Sequence, residues 1–105
     1  MISTELLGEV VIGSYPQDDR VPDLIRNEIQ WFNSVDWEYQ RLNMYELTHK
    51  CKEWALENGY ELYSSSIGIC DIFNNDFENK GAHIAGTEPE AIFKACQWIL
   101  DNKEK

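Results

Sequence analysis

A chain of 105 residues with 43% hydrophobic and 12% aromatic side chains has the size and composition of one globular domain, taken as residues 1–105, and argues against disorder. Nineteen Asp and Glu against nine Lys and Arg give a net charge of −10, shared equally by residues 1–42 and 43–105; it repels phosphate backbones and anionic surfaces and argues against direct nucleic-acid or membrane partners. No apolar run approaches the ~18 residues of a membrane span, and residues 1–8, with Glu5 and no basic side chain, do not read as a secretory signal, so the expected location is cytoplasmic.

Residues 9–15 read as a first strand. Residues 16–23, with Pro16, Pro22 and three aspartates, form the clearest turn-rich stretch. A second strand is expected over 28–35, where Ile29, Trp31 and Val35 share a face at period two. With the first it makes a long hairpin, and residues 36–42 either extend it or cross over to a helix. Asn43 is a suitable N-cap for that helix, and Glu46 completes a capping box. Met44, Leu47, Cys51, Trp54 and Ala55 recur at spacings of three and four as one apolar stripe. Asn58 and Gly59 end the helix, Gly59 being suited to a left-handed position.

Residues 60–64 read as a short strand, Ser64, Ser65 and Ser66 as a turn, and 67–73 as a strand rich in β-branched and aromatic side chains. Residues 74–81 read as a polar loop and 83–85 as a short third strand. The last helix starts at Thr87 as cap, with Glu90 closing the box and Pro89 in the first turn, where its missing N–H costs little. Ala91, Ile92, Ala95, Cys96, Ile99 and Leu100 form its buried stripe, and Lys103 and Lys105 lie at its end, where positive charge is favoured. The expected fold is α+β. An antiparallel β-sheet of four to five strands is packed by two amphipathic α-helices in the order β-β-α-β-β-(β)-α, with the helices on a common face or one on each.

Little in the chain points to catalysis. Cys51, Cys70 and Cys96 are odd in number, widely spaced and set in apolar patterns, as expected of free buried thiols in a reducing compartment; nothing local supports a Cys–His nucleophile pair built from one of them. His49 and Glu53 sit one helical turn apart and could share a metal, but no second ligand pair, CxxC or HExxH accompanies them. Asn74, Asp76 and Glu78 alternate as in a calcium loop, yet Asn79 stands where an EF-hand needs glycine and no acid follows at the last ligand position. Neither a GxGxxG, a P-loop nor a GxSxG occurs, and Gly68, Gly81 and Gly86 read as strand or turn glycines. No metal, cofactor or catalytic residue is therefore expected. The aromatic cluster of Trp31, Phe32, Trp37 and Tyr39 carries the partner-binding expectation. Trp31 and Phe32 alternate across a sheet, so helices on one face alone would leave some rings exposed as anchors; otherwise they fill the core or the centre of a dimer interface.

Two resemblances follow from these residues. The α-β-β-β-α order from Asn43 onward resembles a double-stranded-RNA-binding domain, which needs cations at the start of its last helix. Thr87, Glu88, Pro89 and Glu90 stand there, and two carboxylates would repel RNA. Residues 44–47 (MYEL), 49–55 (HKCKEWA) and 87–100 (TEPEAIFKACQWIL) resemble the helices of small hypothetical proteins of bacteriophages and prophages, and the closing segment is similar to the end of phage "ABA-sandwich" proteins. Residues 1–42 take no part in this resemblance, and it implies no activity or site residue.

The functional expectation is a non-enzymatic interaction protein of phage or prophage origin that binds a host or phage protein. One form is an inhibitor of a host defence or nucleic-acid enzyme, with dispersed carboxylates imitating DNA phosphates in a basic groove. A second reading is a small-ligand binder or enzyme whose site gathers scattered residues such as His49, His83 and Asp71. A third is a structural homodimer with a self-complementary sheet face.

Overall fold

The computed structural model describes residues 2–12, 23–25, 28–33 and 37–103, and for residues 4, 12, 23–25, 29–33 and 38–40 the backbone only. Ser3 opens the first element: its Oγ accepts the amide of Leu6 at 3.1 Å. A short helix, α1 (Thr4–Leu7), runs from it into a π-helical turn over Gly8–Ile12. The strand expected over 9–15 is thus helical from 9 to 12, and residues 13–15 lie outside the described residues. The apolar run Val10, Val11 and Ile12 has no period that separates strand from helix. The Ser3 cap, with Ile2, Leu6 and Leu7 buried in the core, favours the helix.

β1 (Asp23–Ile25), β2 (Glu28–Asn33) and β3 (Glu38–Asn43) form one antiparallel sheet in that order. β2 pairs with β1, Leu24 opposite Ile29, and with β3, Phe32 opposite Tyr39, rather than with residues 9–12, which are helical. Within the expected turn at 16–23 only Asp23 is among the described residues, where it begins β1; Val35 lies outside them. The 36–42 segment becomes a strand in its own right. Asn43 is both the last residue of β3 and the cap of the next helix, so the chain leaves this sheet without a loop.

That helix is α2 (Met44–Glu57). Asn43 Oδ1 accepts the Glu46 amide at 2.8 Å, and Asn43 Nδ2 donates to Glu46 Oε1 at 3.0 Å. α2 ends at Asn58, whose amide returns to Trp54 and Ala55 carbonyls, and Gly59 follows at φ 88°. β4 (Tyr60–Ser65), β5 (Ile69–Asn74) and β6 (Asn79–Ile84) then form a second three-stranded antiparallel sheet with β5 central. The fold is α+β, but in place of the expected single sheet of four to five strands the described residues form two antiparallel sheets of three. α2 separates them in sequence and packs on both β3 and β4.

Local chemistry sets the turns of the second sheet. The β4–β5 turn falls one step later than the serines suggest, with Ser64 and Ser65 still in β4. Gly68 makes this turn at φ 90°, and its carbonyl accepts the Ala85 amide at 2.8 Å; a Cβ there would meet the Ala85 carbonyl oxygen at 2.2 Å. The segment 74–81, expected as a loop, is a tight turn followed by a full strand. Asn74 Oδ1 accepts the amides of Asp76 and Glu78, both at 3.0 Å, closing the turn on itself. β6 is a polar edge strand, which hides it from a hydrophobic pattern.

α3 (Glu88–Asn102) closes the domain, with Thr87 Oγ1 accepting the Glu90 amide at 3.3 Å and Pro89 in its first turn. Both predicted stripes face inward: Leu47, Cys51, Trp54 and Ala55 from α2, and Ala91, Ile92, Ala95, Cys96, Ile99 and Leu100 from α3, joined by Phe93. Met44 is only partly buried at the edge of this core. The helices pack on each other, α2 on β4 and α3 across β4, β5 and β6. They share one sheet face, whose buried contributions are Leu62, Cys70 and Ile72. Lys103 lies 5.6 Å over the Trp54 ring and 3.5 Å from the Glu9 carboxylate, tying the C-terminal end of α3 to the π-helical turn. Lys105 lies outside the described residues. No helix among the described residues is long and apolar enough to cross a membrane.

Candidate functional site

The titratable groups named from sequence do not converge. His83 is the cross-strand partner of Cys70, so both share the helix-covered face, while Asp71, opposite Ala82, is on the other face. His49 is exposed on α2, paired with Glu53. His49, His83 and Asp71 therefore form no common site.

The fold does bring a cysteine and a histidine side by side in Cys70 and His83, but their surroundings favour the neutral forms. Burial pushes the Cys70 thiol up to about 11, and burial followed by the charge of Lys94 lowers His83 below its ordinary 6.5. A protonated thiol is a poor nucleophile. Cys96 is held far above the usual thiol range by its hydrogen bonding with Cys51 and by burial; its Sγ lies 3.6 Å from the Cys51 carbonyl oxygen. All three cysteines are buried and free, as their apolar setting predicts. Among the described residues no group of three or more His, Cys, Asp or Glu could hold a metal ion. The calcium-like alternation after β5 is the self-closed Asn74 turn, whose ligand oxygen already accepts two amides.

A cavity of about 340 Å³ lies where α2 and α3 begin, lined by Met44, Tyr45, Thr48, Thr87, Glu88 and Ile92 among others. Helix N-termini attract anions, but Glu46, Glu88 and Glu90 occupy the first turns and already supply the negative charge.

The remaining feature is the sheet face turned away from the helices. Along β5, Ile69, Asp71 and Phe73 alternate with the buried Cys70 and Ile72. Their partners are Ser65, Tyr63 and Glu61 on β4, and Ile84, Ala82 and Asn79 on β6. A bulge between Ile72 and Phe73 sets Phe73 opposite Asn79. This face is strongly exposed: Tyr63 is 52%, Ile84 67% and Phe77 76% accessible, and Ile67 in the β4–β5 turn is 74% accessible. Phe77 is held at φ 60° in the β5–β6 turn, its amide donating to the Asn74 carbonyl at 3.0 Å. Left-handed backbone at a bulky residue is uncommon.

Tyr63 and Phe73 are diagonal neighbours whose rings meet edge to face, centroids 5.3 Å apart and planes at 89°. With Asp71 and Phe77 they line an open cavity of about 350 Å³. Asp71 is half-buried there, and Asn79 Nδ2 lies 3.4 Å from its Oδ1. The Tyr63 hydroxyl donates to Glu61 Oε1 at 3.0 Å, and that carboxylate raises the hydroxyl above its usual value of 10.0.

Of the aromatic residues proposed from sequence, Trp37 is 79% accessible at φ 54°, just before β3. Trp31, Phe32 and Tyr39 lie on β2 and β3, with Phe32 opposite Tyr39 and Trp31 opposite Gln40; their side chains lie outside what is described. The aromatic surface on the second sheet escaped the sequence reading. Its signal was the apolar character of 67–73 on both faces of a strand, in a chain with helices enough for only one. Comparison with family models, curated proteins and solved structures finds no match to this chain.

Proposed function

We propose that this chain is a non-enzymatic protein-binding domain that engages a partner protein through the open face of the β4–β6 sheet. The observation that carries this reading is the exposure of Tyr63, Ile67, Phe77 and Ile84 together on and beside one face that no described element covers. Isolated exposed apolar side chains are ordinary, whereas the Tyr63 and Phe73 rings in contact, with Phe77 lining the same cavity, have the composition of an interface centre. Trp37 supplies a further anchor near Trp31, Phe32 and Tyr39 in the first sheet. The buried thiols and the separated histidines favour binding over catalysis. On the phage resemblance and the net charge of −10, the partner is a host or phage protein, and inhibition of a defence or nucleic-acid enzyme is the role proposed.

Selection of a displayed peptide library on the full chain tests the surface. Binders recovered on the wild type should be lost on Ile84→Glu and on Phe77→Ala, both at exposed positions that leave the core intact. Binders indifferent to both, but lost on Trp37→Ala, would move the site to the first sheet. Binders indifferent to all three variants would sink the reading.

A further inference from the structure

Resting on that reading, we propose that Tyr63, Asp71, Phe73 and Phe77 form a cradle for an arginine side chain presented by the partner. A guanidinium is recognised by two kinds of group at once: a ring face over which the flat cation lies, and a carboxylate that accepts its N–H donors. The open face supplies both in one cavity of about 350 Å³. The perpendicular Tyr63 and Phe73 rings offer surfaces in two orientations. Phe77, carried by the β5–β6 turn, adds a third ring to the same cavity.

Charge identifies what belongs between these rings. Asp71 lies on the central strand of the sheet, and no lysine or arginine among the described residues reaches its carboxylate. Lys80 lies nearby in sequence but is paired with Glu78 at 3.8 Å. Glu61 adds a second carboxylate beside Tyr63. A neutral apolar partner would bury Asp71 without a counter-charge, which is costly. A second copy of this chain stacked face to face about a twofold axis near β5 would bring one Asp71 towards the other, and like charges there oppose a dimer. A cation set among apolar side chains resolves both costs.

The shape of the site favours arginine over other cations. The cavity is open, so a strongly hydrated lysine ammonium keeps its water and gains little. A quaternary ammonium fits an aromatic cage but has no N–H to give Asp71. A guanidinium lies flat on a ring and still offers paired donors to a carboxylate edge.

The test uses capped leucine–arginine–leucine peptide and its citrulline, lysine and trimethyllysine counterparts, titrated into the isotope-labelled full chain. The arginine peptide should shift the amides of Tyr63, Asp71, Phe73 and Phe77 and bind about tenfold more tightly than the citrulline peptide, a difference of ~1.4 kcal/mol. Asp71→Asn should erase that preference while leaving citrulline binding unchanged, and Phe77→Ala should weaken all four peptides. Equal binding of arginine and citrulline peptides on this face would overturn the arginine assignment and leave the protein-binding face standing. Lysine or trimethyllysine matching arginine would overturn it in favour of a general cation site. An arginine peptide that moves none of the four amides overturns the cradle outright; the library selection then decides separately whether the face binds protein.

Discussion

The two faces of the β4–β6 sheet are built by alternate residues of the same strands, yet they meet different surroundings. On β5, Cys70 and Ile72 are fully buried under α2 and α3, while Asp71 and Phe73 look the other way and remain partly exposed. A strand apolar on both sides usually belongs to a sheet covered on both sides. Here the helical stripes are used up by one face, so the apolar side chains of the other contribute little to the core. The covered face holds the fold together, and the open face is left available for binding.

Stability measurements can break this contrast. Ile72→Ala should cost about 4 kcal/mol, because it opens a cavity at a position with 0% exposure. Ile84→Ala, at 67% exposure, should change stability by less than about 0.5 kcal/mol. Urea unfolding of the two variants checks both values, and similar losses would mean that the open face is also part of the core. Gly68→Ala should come next at about 3 kcal/mol, since its φ of 90° and the 2.2 Å approach to the Ala85 oxygen both exclude a side chain. Gly68 joins β4 to β5 and so fixes which residues face out. Its variant should therefore also disturb the amide spectrum of the open face, which Ile72→Val should leave in place. Thr87→Ala removes the acceptor for the Glu90 amide and should cost about 1 kcal/mol, with the open face unaffected.

The parts legible in the sequence are those whose causes are local. Asn43 with Glu46, and Thr87 with Glu90, are capping pairs three residues apart, and the stripes of α2 and α3 repeat within a few turns. Their positions follow without knowing what they pack against. Residues 36–42 carry no period that separates an extension of β2 from a strand of their own, and 10–12 none that separates strand from helix, so the pairing of β2 with β3 and the helical backbone at 9–12 were not visible in the same way. β6 was half hidden because Asn79, Lys80 and Gly81 lie on an edge strand and carry no apolar period. The density of rings at 31–39 is visible because those residues are contiguous. The open face draws Tyr63, Phe73, Phe77 and Ile84 from two outer strands, a central strand and a turn, and only the register of the sheet assembles them.

The smallest effect expected separates the faces by pH. His83 belongs to the covered side, opposite Cys70, where burial and then the charge of Lys94 hold its imidazole below 6.5. The unfolded chain takes up a proton near the ordinary value, and the folded chain only at lower pH. Between the two, the unfolded state binds more protons, so the contribution to stability is complete above about pH 6.5 and is lost as the pH falls towards the folded value. His83→Gln removes that term. The urea midpoint of the wild type should therefore drop more than that of the variant between about pH 7.5 and pH 5.5. Parallel losses in the wild type and His83→Gln would place His83 in solvent, and the boundary between the covered and open faces would have to be redrawn along β6.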